Sequence, residues 1–223
     1  MMMSHASPPV LLALDLSTAH GSIAVVNGAG DQLFEATFQS ERSHNAQVFA
    51  PLRQALTAAG TALSHIVIGI GPGSYTGVRI AIAAAQGIAL SRGIPCIGWS
   101  SLTAPHFPPP QDYHILGDAR RQSYYLARVQ NGRLQPGIET LSADAARARV
   151  LAAPQATWLT FDAKIPLDLP CIQLARPDAA QLARNILALT ENERQHLSTA
   201  PLLPHYLAEA FITIAKKPIP RGP

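Results

Sequence analysis

Gly69-Ile-Gly-Pro-Gly-Ser-Tyr-Thr-Gly-Val-Arg-Ile-Ala-Ile-Ala-Ala-Ala-Gln-Gly-Ile-Ala-Leu90 is the stretch on which the fold turns. The run His65 to Ile70 that leads into it reads as a buried strand, and the alanine-rich run after it as a helix from about Tyr75 to Ser91. A tight glycine loop joins the two. Gly71 and Gly73 admit backbone angles closed to other residues, and Pro72 stiffens the turn between them. Ser74 stands where an N-cap belongs, so the first free amides of the helix point back toward the loop mouth. Helix ends of this kind hold anions, which on one reading makes the loop a phosphate or carboxylate site. No Gly-Lys-Ser/Thr follows, so it is not a P-loop of the Walker type. On the other reading the glycines serve the turn and the alanines serve close packing.

Upstream, Val10 to Leu16 and Gly21 to Asn27 read as strands and Leu33 to Gln39 alternates as a third; short turns separate them and together they form an antiparallel meander. From Ser43 to Ala59 the period changes to that of a helix: Val48, Leu52, Ala55, Leu56 and Ala59 share a face, and Gly60 sits at the C-cap. Gly93 and Pro95 close the second helix before a strand at Ile94 to Gly98. The order β-β-β-α-β-α-β predicts an α/β domain with a mixed sheet.

Downstream, His106-Phe-Pro-Pro-Pro-Gln111 reads as a linker, since three prolines in succession suit neither a helix interior nor a central strand. Strands are expected at Tyr113 to Gly117, Gln122 to Gln130, Arg133 to Leu141, Thr157 to Phe161 and Cys171 to Leu174. Asn131-Gly132 marks a hairpin turn. Ser142 caps a helix reaching Ala152; Pro177 to Leu189 is another helix, and Tyr206 to Ala215 a terminal one. The expected division is 1–105 for a first lobe, 106–200 for a smaller second lobe and 201–223 for a tail packing back on a lobe.

Of the 223 residues 48% are hydrophobic and only 14% charged, which excludes a long disordered region. A net charge of +3 without any Lys/Arg block does not by itself mark a nucleic-acid binder. Cys96 and Cys171 lie far apart with no CxxC spacing, which fits a reducing compartment better than a disulfide scaffold. The apolar run Val10 to Leu14 is short and ends at Asp15, so neither a signal peptide nor a membrane span is expected and the protein is placed in the cytoplasm. Eight histidines are scattered without HxxxH or HExxH spacing, and no metal site is expected.

Asp15-Leu-Ser17-Thr18 follows the first strand. A carboxylate and two hydroxyls in a hairpin resemble the first phosphate loop of actin-like and sugar-kinase ATPases, although such residues are also ordinary in turns. Gly117-Asp118-Ala119-Arg120-Arg121 holds the analogous place in the second half. Those ATPases carry Asp-x-Gly there, and Arg120 fills the place of that glycine, so the loop reads as a degenerate anion or nucleotide site.

Taken together, LLALDLSTAHGSIAVV, RSHNAQVFAPL, GIGPGSYTGVRIAIAAAQGIAL, IPCIGWSSL and DARRQSYYLARV resemble, in order, the TsaB (YeaZ) family of bacterial tRNA threonylcarbamoyladenosine biosynthesis proteins. The likeness runs over roughly residues 10 to 130 and returns at Pro204-His-Tyr-Leu207. It implies an α/β, actin-like (ribonuclease-H-like) two-lobed fold with mixed sheets flanked by helices. It also implies a non-catalytic role beside TsaD, the metal-bearing transferase that acts next to the tRNA anticodon, with the ATPase TsaE joining through the complex. TsaD has an HxxxH pair after the strand that follows the glycine-loop helix; here that stretch is Trp99 to Pro105, and Ser101 and Pro105 cannot replace two imidazoles. No cofactor is expected, contact with tRNA is indirect or undecided, and the lone chain pairs with itself or stays single. In the family the two helices of the first lobe join the same pair of TsaD, or of a second TsaB, and the resemblance places Val48, Leu52, Arg79, Ile82 and Gln86 at or near that interface. Asp15, Ser17, Thr18, Gly71, Gly73, Ser74 and Asp118 form the degenerate loops. The competing reading is an active actin-like ATPase or small-molecule kinase using Asp15, Thr18 and Asp118. The chain departs from the family at Ala208, where an arginine is usual, and mildly at Tyr75, where Phe is more common.

Overall fold

Strand β1 (Val10–Asp15) is buried at every position, because it lies in mid-sheet with both faces covered. It runs antiparallel to β2 (His20–Asn27), with Leu12 opposite Val25, and parallel to β4 (Leu63–Gly69), with Leu12 opposite Ile66. β3 (Gln32–Gln39) adds to the outside of β2 and β5 (Cys96–Trp99) to the outside of β4, giving the order β3-β2-β1-β4-β5. The computed structural model describes residues 8–39 and 44–207.

Alternation along these strands divides the first lobe's core in two. Leu12, Leu14, Ile23, Val25, Ile66 and Ile68 face helices α1 (His44–Ala59) and α2 (Tyr75–Arg92), which lie side by side on that surface. Leu11, Ala13, Ala24, Val26, Val67 and Ile97 face the other way, onto Leu182, Ala183 and Ile186 of α4 (Ala179–Leu187). A strand apolar on both faces needs two covers, and the second comes from late in the chain. The contiguous division expected from sequence is therefore corrected. Residues 106–200 do not all belong to a second lobe, because the chain re-enters the first at the Pro105–Pro177 bridge, where the Asp178 amide donates to the Ala104 carbonyl at 2.9 Å.

The second lobe is a six-stranded sheet in the order β11-β10-β6-β7-β8, with β9 also on β7. Its spine is the antiparallel pair β6 (Asp112–Arg120) and β7 (Ser123–Gln130). β10 (Trp158–Thr160) and β11 (Ile172–Leu174) extend it in parallel, and α3 (Ala143–Ala152) covers one face from its Ser142 cap. The strand expected over Arg133 to Leu141 is broken into β8 (Arg133–Leu134) and β9 (Glu139–Ser142), since Gly137 turns the chain at φ 90° between them. One helix was missed, α5 (Glu191–Thr199). It buries no residue fully and so lacks an apolar stripe. Its start was legible all the same, as the reciprocal capping pair of Thr190 and Glu193. Of the expected terminal helix, Tyr206 and Leu207 are not helical and the rest lies outside the described residues. Two mixed sheets flanked by helices make up the two-lobed α/β fold that the resemblance implies.

Two glycines inside α2 meet opposite surroundings. A Cβ on Gly77 would sit 1.9 Å from the Leu16 carbonyl oxygen, whereas one on Gly87 meets nothing within 4 Å. Replacing an interior helical glycine by alanine ordinarily stabilises by about 1 kcal/mol. Gly87→Ala should therefore gain about that much in urea unfolding, and Gly77→Ala should lose roughly 1–3 kcal/mol through overpacking. Equal effects at the two sites would contradict the packing described.

Candidate functional site

The first hairpin and the glycine loop meet backbone to backbone. The Ser74 amide donates to the Ser17 carbonyl at 2.6 Å, and a Cβ on Gly73 would lie 2.1 Å from that same oxygen. Gly73 and Gly77 are thus glycines because another main chain touches them, which favours the structural reading of the motif. Ser74 caps α2 as expected, its hydroxyl accepting from the Gly77 amide at 3.2 Å. Behind the loop, Ser100 and Ser101 hold Gly71: the Gly71 amide donates to the Ser101 hydroxyl at 3.0 Å, and the Ser100 hydroxyl donates to the Gly71 carbonyl at 3.1 Å. Sequence reasoning assigned these serines no role. Their signal was position alone, a pair of small hydroxyl residues following a strand that ends beside a glycine loop.

A cleft of about 570 Å³ opens between the lobes at this junction. Ser17, Thr18, Gly73 and Ser74 line it from the first lobe and Asp118 from the second, so five of the seven expected loop residues are brought together. Gly71 lies behind the wall. Asp15 is not in the cleft either; it is fully buried, with Oδ1 accepting from the Ser17 amide at 2.8 Å and from the Ser17 hydroxyl at 2.6 Å. Among the described residues its Oδ2 has no hydrogen-bond partner, and it packs over Gly69, where a Cβ would come within 1.8 Å of it. Burial pushes the Asp15 carboxyl above its ordinary value; Ser101, close by but out of hydrogen-bonding geometry with Oδ2, and then Ser17 pull it partly back. A carboxyl held this way braces its own hairpin instead of facing a ligand.

In the second lobe, the Asp118 amide donates to Asp162 Oδ2 at 2.7 Å and Asp118 Oδ1 accepts from the Arg120 amide at 2.7 Å. Burial raises the Asp162 carboxyl, while the Asp118 amide lowers it in part. Arg120, Arg121 and Gln122 all have positive φ, at 72°, 55° and 62°. The left-handed backbone that an Asp-x-Gly loop obtains from glycine is therefore kept by Arg120. Among the described residues no group of three or more His, Cys, Asp or Glu is placed to hold a metal ion.

The expected interface residues separate by burial. Val48, Leu52 and Ile82 are 0%, 4% and 8% exposed and belong to the first lobe's core, so they are corrected from docking contacts to packing residues. Arg79 and Gln86 are exposed, with the Arg79 guanidinium folded 4.8 Å over the Tyr75 ring. The outer face of α2 instead carries Tyr75, Arg79, Ala83 and Gly87 at four-residue spacing, then Leu90, with Phe49 of α1 also exposed.

The pH response of Asp15 follows from its raised carboxyl. The native state holds on to that proton, so the parent loses stability as pH climbs from the ordinary carboxyl range through the raised value. Asp15→Asn lacks this loss. Its stability relative to the parent should therefore be more favourable at pH 7 than at pH 4, and a difference independent of pH would count against a buried carboxylate. Arg120→Gly should relieve a left-handed non-glycine residue and stabilise by about 1 kcal/mol in thermal unfolding; a loss would mean that the arginine side chain holds the turn.

A family model described as "TsaD: tRNA N6-adenosine threonylcarbamoyltransferase" matches residues 38–169. The chain is 41% identical over 96 residues to the tRNA threonylcarbamoyladenosine biosynthesis protein TsaB of Escherichia coli, a match covering 41% of this chain and 40% of that one. With the protein of the same name from Haemophilus influenzae it is 33% identical over 128 residues, 53% of each. The aligned stretch thus spans about half or less of these relatives. An uncharacterized protein of Mycobacterium tuberculosis is 30% identical over 216 residues, covering 92% of this chain and 94% of its own. A crystal structure titled as YeaZ from Pseudomonas aeruginosa superposes with a TM-score of 0.64 at 26% identity, over 89% of this chain and all of that one. From these matches, the chain belongs to the TsaB/YeaZ family, within the wider group that the TsaD family model describes.

Proposed function

We propose that this chain is a non-catalytic partner of a TsaD-type transferase in forming N6-threonylcarbamoyladenosine beside the tRNA anticodon. The names of its relatives supply the pathway, and the outer face of α2 carries the partner reading. Gly87 weakens a helix interior, and a Cβ there would meet nothing within 4 Å beyond its own helix backbone, so no packing among the described residues calls for a glycine there. A second backbone coming close over Ala83 and Gly87 would call for one. Tyr75, Leu90 and Phe49, at 54%, 88% and 57% exposure, are the apolar anchors around that spot. An interface built there needs on the order of 1,200–2,000 Å² with an apolar centre. The occupant is the TsaD-type subunit, or a second copy when the chain is alone, with a TsaE-type ATPase joining through the complex.

The competing ATPase or kinase reading draws on the loops that converge at the cleft. It also needs a carboxylate facing a metal-bound phosphate, and Asp15 faces inward instead. The cleft is therefore read as a retained shell.

Gly87→Trp separates docking from folding. Its side chain enters open space, so the unfolding midpoint should stay near the parent's, while co-purification with a TsaD-type subunit falls at least about tenfold, equivalent to about 1.4 kcal/mol. Undiminished capture by the tryptophan variant would remove α2 as the docking face. Normal threonylcarbamoyladenosine in the tRNA of cells lacking the chain would remove the pathway assignment.

A further inference from the structure

Beyond α5 the chain does not leave the molecule but runs across the mouth of the cleft. Leu202 packs into the first lobe's core, filling space that Gly98 of β5 leaves open; a Cβ there would come within 3.0 Å of the leucine. The His205 amide donates to the Ile70 carbonyl at 2.8 Å, prolonging the hydrogen bonding at the end of β4. The Tyr206 ring lies 5.5 Å from that of Tyr75, at the start of α2. Leu207 packs onto the second lobe's core cluster, which includes Phe161 and Tyr125. Within six residues the segment therefore moves from one lobe's core to the other's, and Pro204 to Leu207 form a wall of the cleft.

Among the described residues the main chain otherwise passes between the lobes at two crossings, one after Pro105 and one before Pro177, which meet at the bridge between those prolines, and the exposed Arg133–Glu193 ion pair at 2.6 Å is a further side-chain tie, from β8 to α5. Neither crossing contributes to the lining of the cleft that the segment walls. Two strands of chain held together at one point make a hinge, and a third attachment away from it fixes the angle of the hinge.

We propose that Pro201–Leu207 is a latch on the two lobes. Docked, it holds them at the angle seen here and closes one side of the cleft. Undocked at Tyr206 and Leu207, it lets them swing about the Pro105–Pro177 crossings and opens the cleft to a larger ligand. A molecule reaching past the Tyr206 ring has to lift the latch first. The latch shares Tyr75 with the outer face of α2, so its test is run on the chain alone.

The test uses the full chain with paired spin labels, one on the exposed Cys171 of the second lobe and one on Ala58→Cys, exposed on α1; Cys96 is buried. Tyr206→Ala removes a half-exposed ring and leaves both cores intact, and Leu207→Asp undoes the second-lobe anchor. Leu203→Asp, at a neighbouring position 66% exposed, is the control. The expected result is one narrow distance in the parent and control, a broader and displaced distribution in both latch variants, and His205 amide exchange at least about tenfold faster in them. Distances unchanged in Tyr206→Ala would overturn the latch, whether or not His205 exchange had quickened. A parent distribution already as broad as the variants' would overturn it as well.

Discussion

A backbone carbonyl of the first hairpin, Ser17, accepts from the backbone amide at the start of α2, Ser74, and much of the molecule is arranged around that 2.6 Å contact. The carbonyl oxygens of Ser17 and Leu16 lie where Cβ atoms on Gly73 and Gly77 would clash, at 2.1 and 1.9 Å. Gly73 and Gly77 provide the gap, and the Ser100–Ser101 pair holds the loop from behind. The contact ties β1 and β4 together at their C-terminal ends and aims α2 outward along the sheet. It also places the mouth of the inter-lobe cleft beside the start of α2. One constraint thus positions both the cleft and a surface helix.

Chemistry at that cleft is poorly supported by its own residues. The hydroxyls and Asp118 are in place, but the carboxylate that an actin-like ATPase would need is turned inward, protonated more readily because it is buried, and bound to its own loop. The second-lobe loop keeps a left-handed backbone with arginine where glycine would let a phosphate approach. By contrast, the outer face of α2 has open space over a glycine and exposed aromatic and leucine side chains nearby. The physical case for a docking subunit lies in that contrast.

Much of the first lobe was legible because its signals are local: apolar runs between turns in β1 and β2, alternation in β3, helical spacing in α1, and a glycine loop followed by a capped helix. The assignment of α4 to the first lobe was not legible, since an amphipathic helix does not say which sheet it covers. Nor was the break between β8 and β9, which depends on one left-handed glycine. The site was half legible. Spacing collected Ser17, Thr18, Gly73, Ser74 and Asp118 into one place, but the direction of the Asp15 side chain is a matter of packing. Apolar residues such as Val48 and Leu52 were placed on an interface when an amphipathic helix turns that stripe toward its own sheet, and the informative residue on the outer face was a glycine.

The central claim is that this chain contributes a surface and not a reacting group. Reconstituted tRNA modification, with the TsaD-type and TsaE-type partners intact and this chain carrying Asp118→Asn, tests it most directly. The account predicts a transfer rate within about twofold of the parent assembly, since no reacting group has been removed. A drop of about a hundredfold or more, the scale on which a general acid or base is missed, with the complex still assembled, would contradict it.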